Sequence, residues 1–192
     1  IKDAFELGVD GLIAPMIESP FAVVKFLNAC RSIYGDQKIF KSINVETRQA
    51  AENIEDLLKM ASNSIDNVTI GRTDLSQSYF DEKIQPDGEF VLDLIESLGR
   101  KVVAAGPTLT VGGSLTKVSI GRFRDRSKEW AEQVTSLETR KIILPADIML
   151  EKDEALGESI KFEELYLRSK LETEKMLTES DRERLSTLKT RL

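Results

Sequence analysis

Short apolar runs alternate along this chain with longer stretches whose apolar residues recur every three or four positions. "GLIAPM" (11–16) is a compact apolar run ahead of a proline turn and predicts a buried strand. "PFAVVKFLNACRSIYG" (20–35) predicts a helix, with Pro20 suited to its first turn and Gly35 to its end. The alternation repeats: strand "KIFKSINV", helix "TRQAAENIEDLLKMAS", strand "IDNVTIG", long helix "GEFVLDLIESLGRKVVAAG", strand "TLTV", and a fifth strand at "TRKIIL". Ahead of the first strand, Ile1, Ala4 and Phe5 have helical spacing, so the sequence is expected to begin inside an element.

Strands alternating with amphipathic helices predict a parallel sheet flanked by helices. Glu18, Glu46 and Asp74 mark three successive strand ends and lie 28 residues apart each time. That pitch suits the βα unit of a barrel. A full (β/α)₈ barrel has eight strands and about 250 residues. Residues 1–150 are therefore expected to form the C-terminal five βα units of a partial TIM barrel, truncated ahead of Ile1, with edges left open or covered by another chain. The competing architecture is an open, flavodoxin-like five-stranded sheet. Residues 151–192 predict a charge-rich helical extension, with Ser180 and Glu183 as a capping box opening a last short helix. Its charges suit a solvated face; alternatively, it closes the barrel and packs on a neighbouring subunit of a homo-oligomer.

Composition narrows the chemistry. Of 192 residues none is histidine and one, Cys30, is cysteine. Histidine-based triads, histidine-ligated metals and thiolate-rich sites are excluded, so a metal here would be a hard ion held by oxygen. Cys30 fits a small buried helix residue in a reducing cytoplasm. The net charge of −6 argues against nucleic acid and anionic membrane as partners, and no apolar run reaches the ~20 residues of a membrane span.

In parallel α/β folds ligands bind at the carboxyl ends of the strands. The residues expected there are Glu18, Asn44, Glu46, Arg72, Thr73, Asp74, Gly112, Gly113, Ser114 and Asp147. The tripeptide Glu-Thr-Arg occurs at 46–48 and again at 138–140. Glu46 ends an apolar run, which makes it a site candidate. Glu138 precedes the run "KIIL", which predicts the opposite, amino-terminal face and a structural role for Glu138, Thr139 and Arg140. Glu46 and Asp74 on adjacent strand ends would repel each other unless a cation lies between them. In the alternative, Asp74 caps a turn and Glu46 pairs with Arg48 or Arg72. The glycines of "TVGGS" either cradle a phosphate or carboxylate or simply make a tight turn.

"GLIAPMIES", "INVETRQAAENI" and "TIGRTDLSQS" resemble three consecutive strand ends of the citrate lyase beta-subunit/hydroxy-oxo-acid aldolase family, one of the phosphoenolpyruvate/pyruvate-binding TIM barrels. The resemblance covers roughly residues 1–115. It implies that Glu46 and Asp74 ligate Mg²⁺ or Mn²⁺, and that backbone amides around Gly71, Arg72, Thr73 and Asp74 hold the carboxylate of a small oxoacid. Gly112 and Gly113 are further candidates for substrate binding. It also implies carbon–carbon bond cleavage or formation through an enolate, with Asn44, Arg72 and Ser114 as candidate catalytic groups. Without histidine, a carboxylate or water must move the proton. Arg72 stands where the family usually has proline, and no stretch here corresponds to the family's carbonyl-polarising arginine. A barrel-derived module that binds an oxoacid or a partner without turnover is the rival reading.

Overall fold

A computed structural model describes residues 1–126 and 128–189. Helix α1 (Lys2–Glu6) leads into β1 (Gly11–Ala14) and α2 (Pro20–Tyr34); β2 (Phe40–Val45) is followed by α3 (Arg48–Glu52) and α4 (Ile54–Ala61). Next come β3 (Asn67–Gly71), α5 (Arg72–Gln77), α6 (Glu89–Ala105), β4 (Thr108–Gly112), α7 (Lys117–Arg124) and α8 (Lys128–Gln133). Strands β5 (Val134–Glu138) and β6 (Ile143–Pro145), then α9 (Ala146–Glu151) and α10 (Asp153–Lys189), complete the order. The six strands lie side by side in chain order; β1 to β5 are parallel and β6 is antiparallel to β5. A flavodoxin-like sheet reverses its strand order at a switch point. This one does not: it curls in one direction as part of a β/α barrel, with a C-terminal helix.

Local chemistry explains the element ends. Ser19 caps α2 by accepting from the Ala22 amide, Pro20 opens the helix, and Gly35 closes it at φ 57°. The stretch expected as one helix after Thr47 is two. Asn53 breaks it, and its side-chain amide donates to the Glu18 carbonyl at 3.1 Å. That bond ties the loop after β1 to the loop after β2.

The two faces of the sheet differ. Toward the helices point Ile43, Val45, Val68, Ile70, Leu109, Val111 and Leu137, all fully buried. Each such side chain stabilises the fold by about 1.5–3 kcal/mol. The concave face is polar. Asn67 donates to Ser42 (2.8 Å) and Thr69 (3.2 Å), and accepts from Thr108 (2.9 Å) and Thr110 (3.0 Å). Ser42, Asn67, Thr69 and Thr110 are buried, so this ladder is a satisfied polar layer beneath the strand ends.

The fifth strand is not where the apolar run predicts it. The parallel strand is β5, "VTSLE"; "ILP" is the short antiparallel β6 that returns along it. Leu109 is opposite Val134, but Thr110 is opposite Ser136, so Thr135 is bulged out of register. The Thr135 hydroxyl donates to the Leu109 carbonyl at 2.9 Å and fixes the bulge. One extra residue turns every later side chain to the other face. Leu137 therefore meets the helices and Glu138 faces the concave side.

The C-terminal helix also differs from expectation. Ser180 opens no new helix; α10 runs unbroken over 37 residues, about 55 Å at 1.5 Å per residue. Ala155, Leu156 and Ser159 are buried, and Arg140 pairs with Glu163 at 3.8 Å. Lys141 lies 4.4 Å from the centre of the Tyr166 ring. Beyond these, Leu165, Leu171, Met176 and Leu177 are exposed.

Candidate active site at the strand ends

One row of residues crosses the carboxyl ends of four strands: Glu46, Gly71, Gly112 and Glu138. Gly71 is paired with Gly112 in the sheet; Glu46 directly follows Val45, the last paired residue of β2, and Glu138 follows Leu137, the last residue of β5 paired with β4. The glutamates lean over the glycines. A Cβ on Gly71 would come within 2.8 Å of the Glu46 Cγ. One on Gly112 would meet the Glu138 Cβ at 3.3 Å and Oε2 at 3.6 Å. The glycines thus form a floor kept open for two carboxylates.

This places Glu138 on the same face as Glu46, against the expectation that it would lie at the opposite end. Both Glu-Thr-Arg copies follow a parallel strand and differ in what comes next. Thr47 caps α3 by accepting from the Ala50 amide at 3.1 Å. Thr139 instead closes the tight turn into β6 through its amide to the Ile142 carbonyl at 2.8 Å. Thr139 and the ion-paired Arg140 have structural surroundings. Asp147 moves the other way: it follows an antiparallel strand, so it leaves the site face, and its carboxylate accepts from the neighbouring Ile148 amide.

Burial pushes the Glu46 carboxyl above its usual range, a hydrogen bond from Asn44 opposes the shift, and the charge of Asp74 adds to it. Glu138 is also pushed up, by burial first and by the charge of Glu46 second. Neither arginine proposed as a partner neutralises Glu46. Arg48 binds Glu52 at 2.7 Å and Arg72 binds Asp87. Asp74 lies in the first turn of α5, exposed. The two carboxylates of Glu46 and Asp74, with no sulfur or imidazole, form a donor set that fits a hard divalent cation completed by water and substrate oxygens. Among the described residues no three acidic, histidine or cysteine groups gather around one point.

Three buried polar atoms at this rim lack a partner: Asn44 Oδ1, Thr73 Oγ1 and Glu138 Oε2. An orphaned buried polar atom costs about 1–3 kcal/mol, so each is a place where a ligand or water gains a hydrogen bond.

Arg72 is not presented to this rim. It is fully buried; its guanidinium donates to the carbonyls of Gly112 (3.0 Å) and Gly113 (2.6 Å), binds Asp87, and lies 4.9 Å from the Phe123 ring centre. Burial pulls its pKa down, opposed by the charge of Asp87. A contact with substrate, expected from sequence, has no support in this placement; Arg72 clamps the loop after β4. Gly113, at φ 92°, packs against α5 so closely that a Cβ would lie 2.7 Å from the Thr73 amide nitrogen. The Gly-Gly turn is thus occupied in packing. Ser114 is exposed one residue further out, at φ 47°.

The curled parallel sheet is that of a partial β/α barrel, with acidic residues on its strand ends. The chain belongs to the HpcH/HpaI aldolase/citrate lyase family, whose model matches residues 1–114. Solved structures agree in fold. An HpcH/HpaI aldolase from Desulfitobacterium hafniense DCB-2 is 16% identical, with a TM-score of 0.51 over 63% of this chain and 55% of its own. RipC from Yersinia pestis is 12% identical, with a TM-score of 0.55 over 70% of this chain and 60% of its own. The citrate synthase SbnG is 17% identical, with a TM-score of 0.52 over 85% of this chain and 68% of its own. The chain thus spans little more than half the length of the first of these. No curated protein matches it in sequence.

Proposed function

We propose that this chain forms the strand-end site of a divalent-metal-dependent carbon–carbon lyase or aldolase that acts on a small oxoacid. The observation that carries the reading is the Glu46–Asp74 pair: a buried carboxylate without a cationic partner beside a second carboxylate, in a chain of the aldolase/citrate lyase family. Glu46 and Asp74 would hold Mg²⁺ or Mn²⁺. The cation supplies Lewis-acid stabilisation of the negative charge that develops on the oxoacid carbonyl.

The chain's own groups do the rest. Asn44 orients Glu46 from beneath. The Thr73 hydroxyl and the amides of Gly71 to Asp74 receive the substrate carboxylate. Arg72 acts through the loop it clamps, fixing Gly112 under the substrate. The rim around Ser114 lies outermost. The exposed apolar positions of α10 suit an arm that packs on a second copy in a homo-oligomer. Among the described residues no helix is long and apolar enough to cross a membrane. The free Cys30 suits a reducing cytoplasm.

The test is Mg²⁺-dependent cleavage of short 4-hydroxy-2-oxoacids by the full-length protein, with Glu46→Gln as control. Turnover that is lost with chelator and with the variant supports the lyase. Tight Mg²⁺-dependent binding of pyruvate without turnover would instead identify a non-catalytic binding module.

A further inference from the structure

We propose that Glu138 is the catalytic residue that takes the hydroxyl proton of the substrate when the carbon–carbon bond breaks. This rests on the reading of Glu46 and Asp74 as the end that holds the oxoacid. Cleavage of a 4-hydroxy-2-oxoacid needs a proton acceptor at the hydroxyl. The O–H proton passes to a carboxylate and the O–H electron pair becomes the new C=O of the departing aldehyde. The C3–C4 pair stays on the oxoacid fragment as an enolate, which then gains a proton at C3. Atoms and electrons balance without an oxidant or a further reactant.

The chain has no histidine to serve as that acceptor. Among the described residues the carboxylates on the ends of β2, β3 and β5 are Glu46, Asp74 and Glu138. In the proposed reading the first two hold the cation; among the described residues no group of three such side chains could hold a metal ion, so Glu138 is left for another role. It occupies the far end of the same row, three strands from Glu46, so their Cα atoms are at most ~14 Å apart at ~4.8 Å per strand. Glu46 leans over Gly71 and Glu138 over Gly112, and these two glycines are paired neighbours, so both carboxylates are directed to the same part of the rim. An oxoacid held by Glu46 and Asp74 brings its C4 hydroxyl toward Glu138. The buried Oε2 has no protein partner to lose when it accepts that hydrogen bond. The bulge at Thr135, which turns Glu138 to this face, positions it.

The decisive comparison is between two reactions of the same oxoacid end. Decarboxylation of oxaloacetate also leaves an enolate but requires no hydroxyl proton acceptor. In the full-length protein, Glu138→Gln should lower Mg²⁺-dependent cleavage of a 4-hydroxy-2-oxoacid by about 100-fold or more, the range of a lost general base. Oxaloacetate decarboxylation should fall less than threefold, and Mg²⁺-dependent pyruvate binding by calorimetry should be unchanged. Glu138→Asp, which keeps the carboxylate and shortens its reach, should restore part of the cleavage. A Glu138→Gln protein that keeps both reactions, or loses both while still binding pyruvate, overturns the assignment. A wild-type protein with neither reaction overturns the underlying lyase reading instead.

Discussion

Glu46 and Glu138 close the two ends of one row across four strands, with Gly71 and Gly112 between them. The charge on Glu46 contributes to the upward shift of Glu138, so the two carboxylates sense each other across the glycine floor. Such a pair costs stability when both groups are ionised, and the protein keeps it where a ligand would bind.

The first consequence is a pH dependence of stability. Both carboxyls have folded-state pKa values raised above the ordinary 4.5, so between that value and the raised one the folded state binds more protons than the unfolded. Their contribution is fully present below about pH 4.5 and is lost as pH rises through the folded-state values. Glu138→Gln should therefore gain in melting temperature relative to wild type as pH increases from 4.5 toward neutrality. A constant difference across that range would contradict the coupling.

Cation binding is expected to stabilise the fold. At a Mg²⁺ concentration 100 times its Kd the gain is about 2.7 kcal/mol. Glu46→Gln and Asp74→Asn should each abolish the thermal shift produced by Mg²⁺. A shift that survives both substitutions would place the ion elsewhere.

The glycine floor is testable without touching a carboxylate. Gly71→Ala puts a Cβ within 2.8 Å of the Glu46 Cγ and forces that side chain away. Mg²⁺ affinity measured by calorimetry should weaken by about tenfold, as for other losses of ligand support. Circular dichroism should remain that of the wild type.

Arg72 should matter to stability more than to substrate affinity. Removing one partner of a buried ion pair costs about 3–5 kcal/mol. Arg72→Met should show a loss of that size in urea unfolding. Arg72→Lys should rescue little, because a point ammonium cannot reach Gly112, Gly113 and Asp87 together.

The arm has its own test. Ending the chain after Tyr166 removes the exposed Leu171, Met176 and Leu177 but keeps the buried start of α10. The truncated protein should retain its helical and strand signature and contain fewer chains per particle than the intact protein in sedimentation equilibrium. The same number of chains per particle in both would separate the arm from assembly.

Much of the fold was legible because four strands and their helices carry clean punctuation: Ser19 and Pro20 before α2, Gly35 after it, Gly106 after α6. The strand-end position of Glu46 was legible for the same reason, since it ends an unmistakable apolar run. Glu138 was not. The bulge spaces the buried positions of β5, Val134 and Leu137, three residues apart, which erases the alternation that marks a strand. The more apolar "KIIL" drew the assignment, although its Ile143 is largely exposed on an edge. Arg72 was misread for a related reason. Sequence places it at a strand end but cannot tell that Asp87, 15 residues on, folds back to bury it.

Loss of Thr135 alone would leave Val134 opposite Leu109 and Ser136 opposite Thr110, so Leu137 and Glu138 would keep their faces. A flat strand that kept every residue would exchange them, placing a carboxylate on the helix side and an apolar side chain at the mouth. The direction of Glu138 is therefore set by backbone shape at one position three residues upstream.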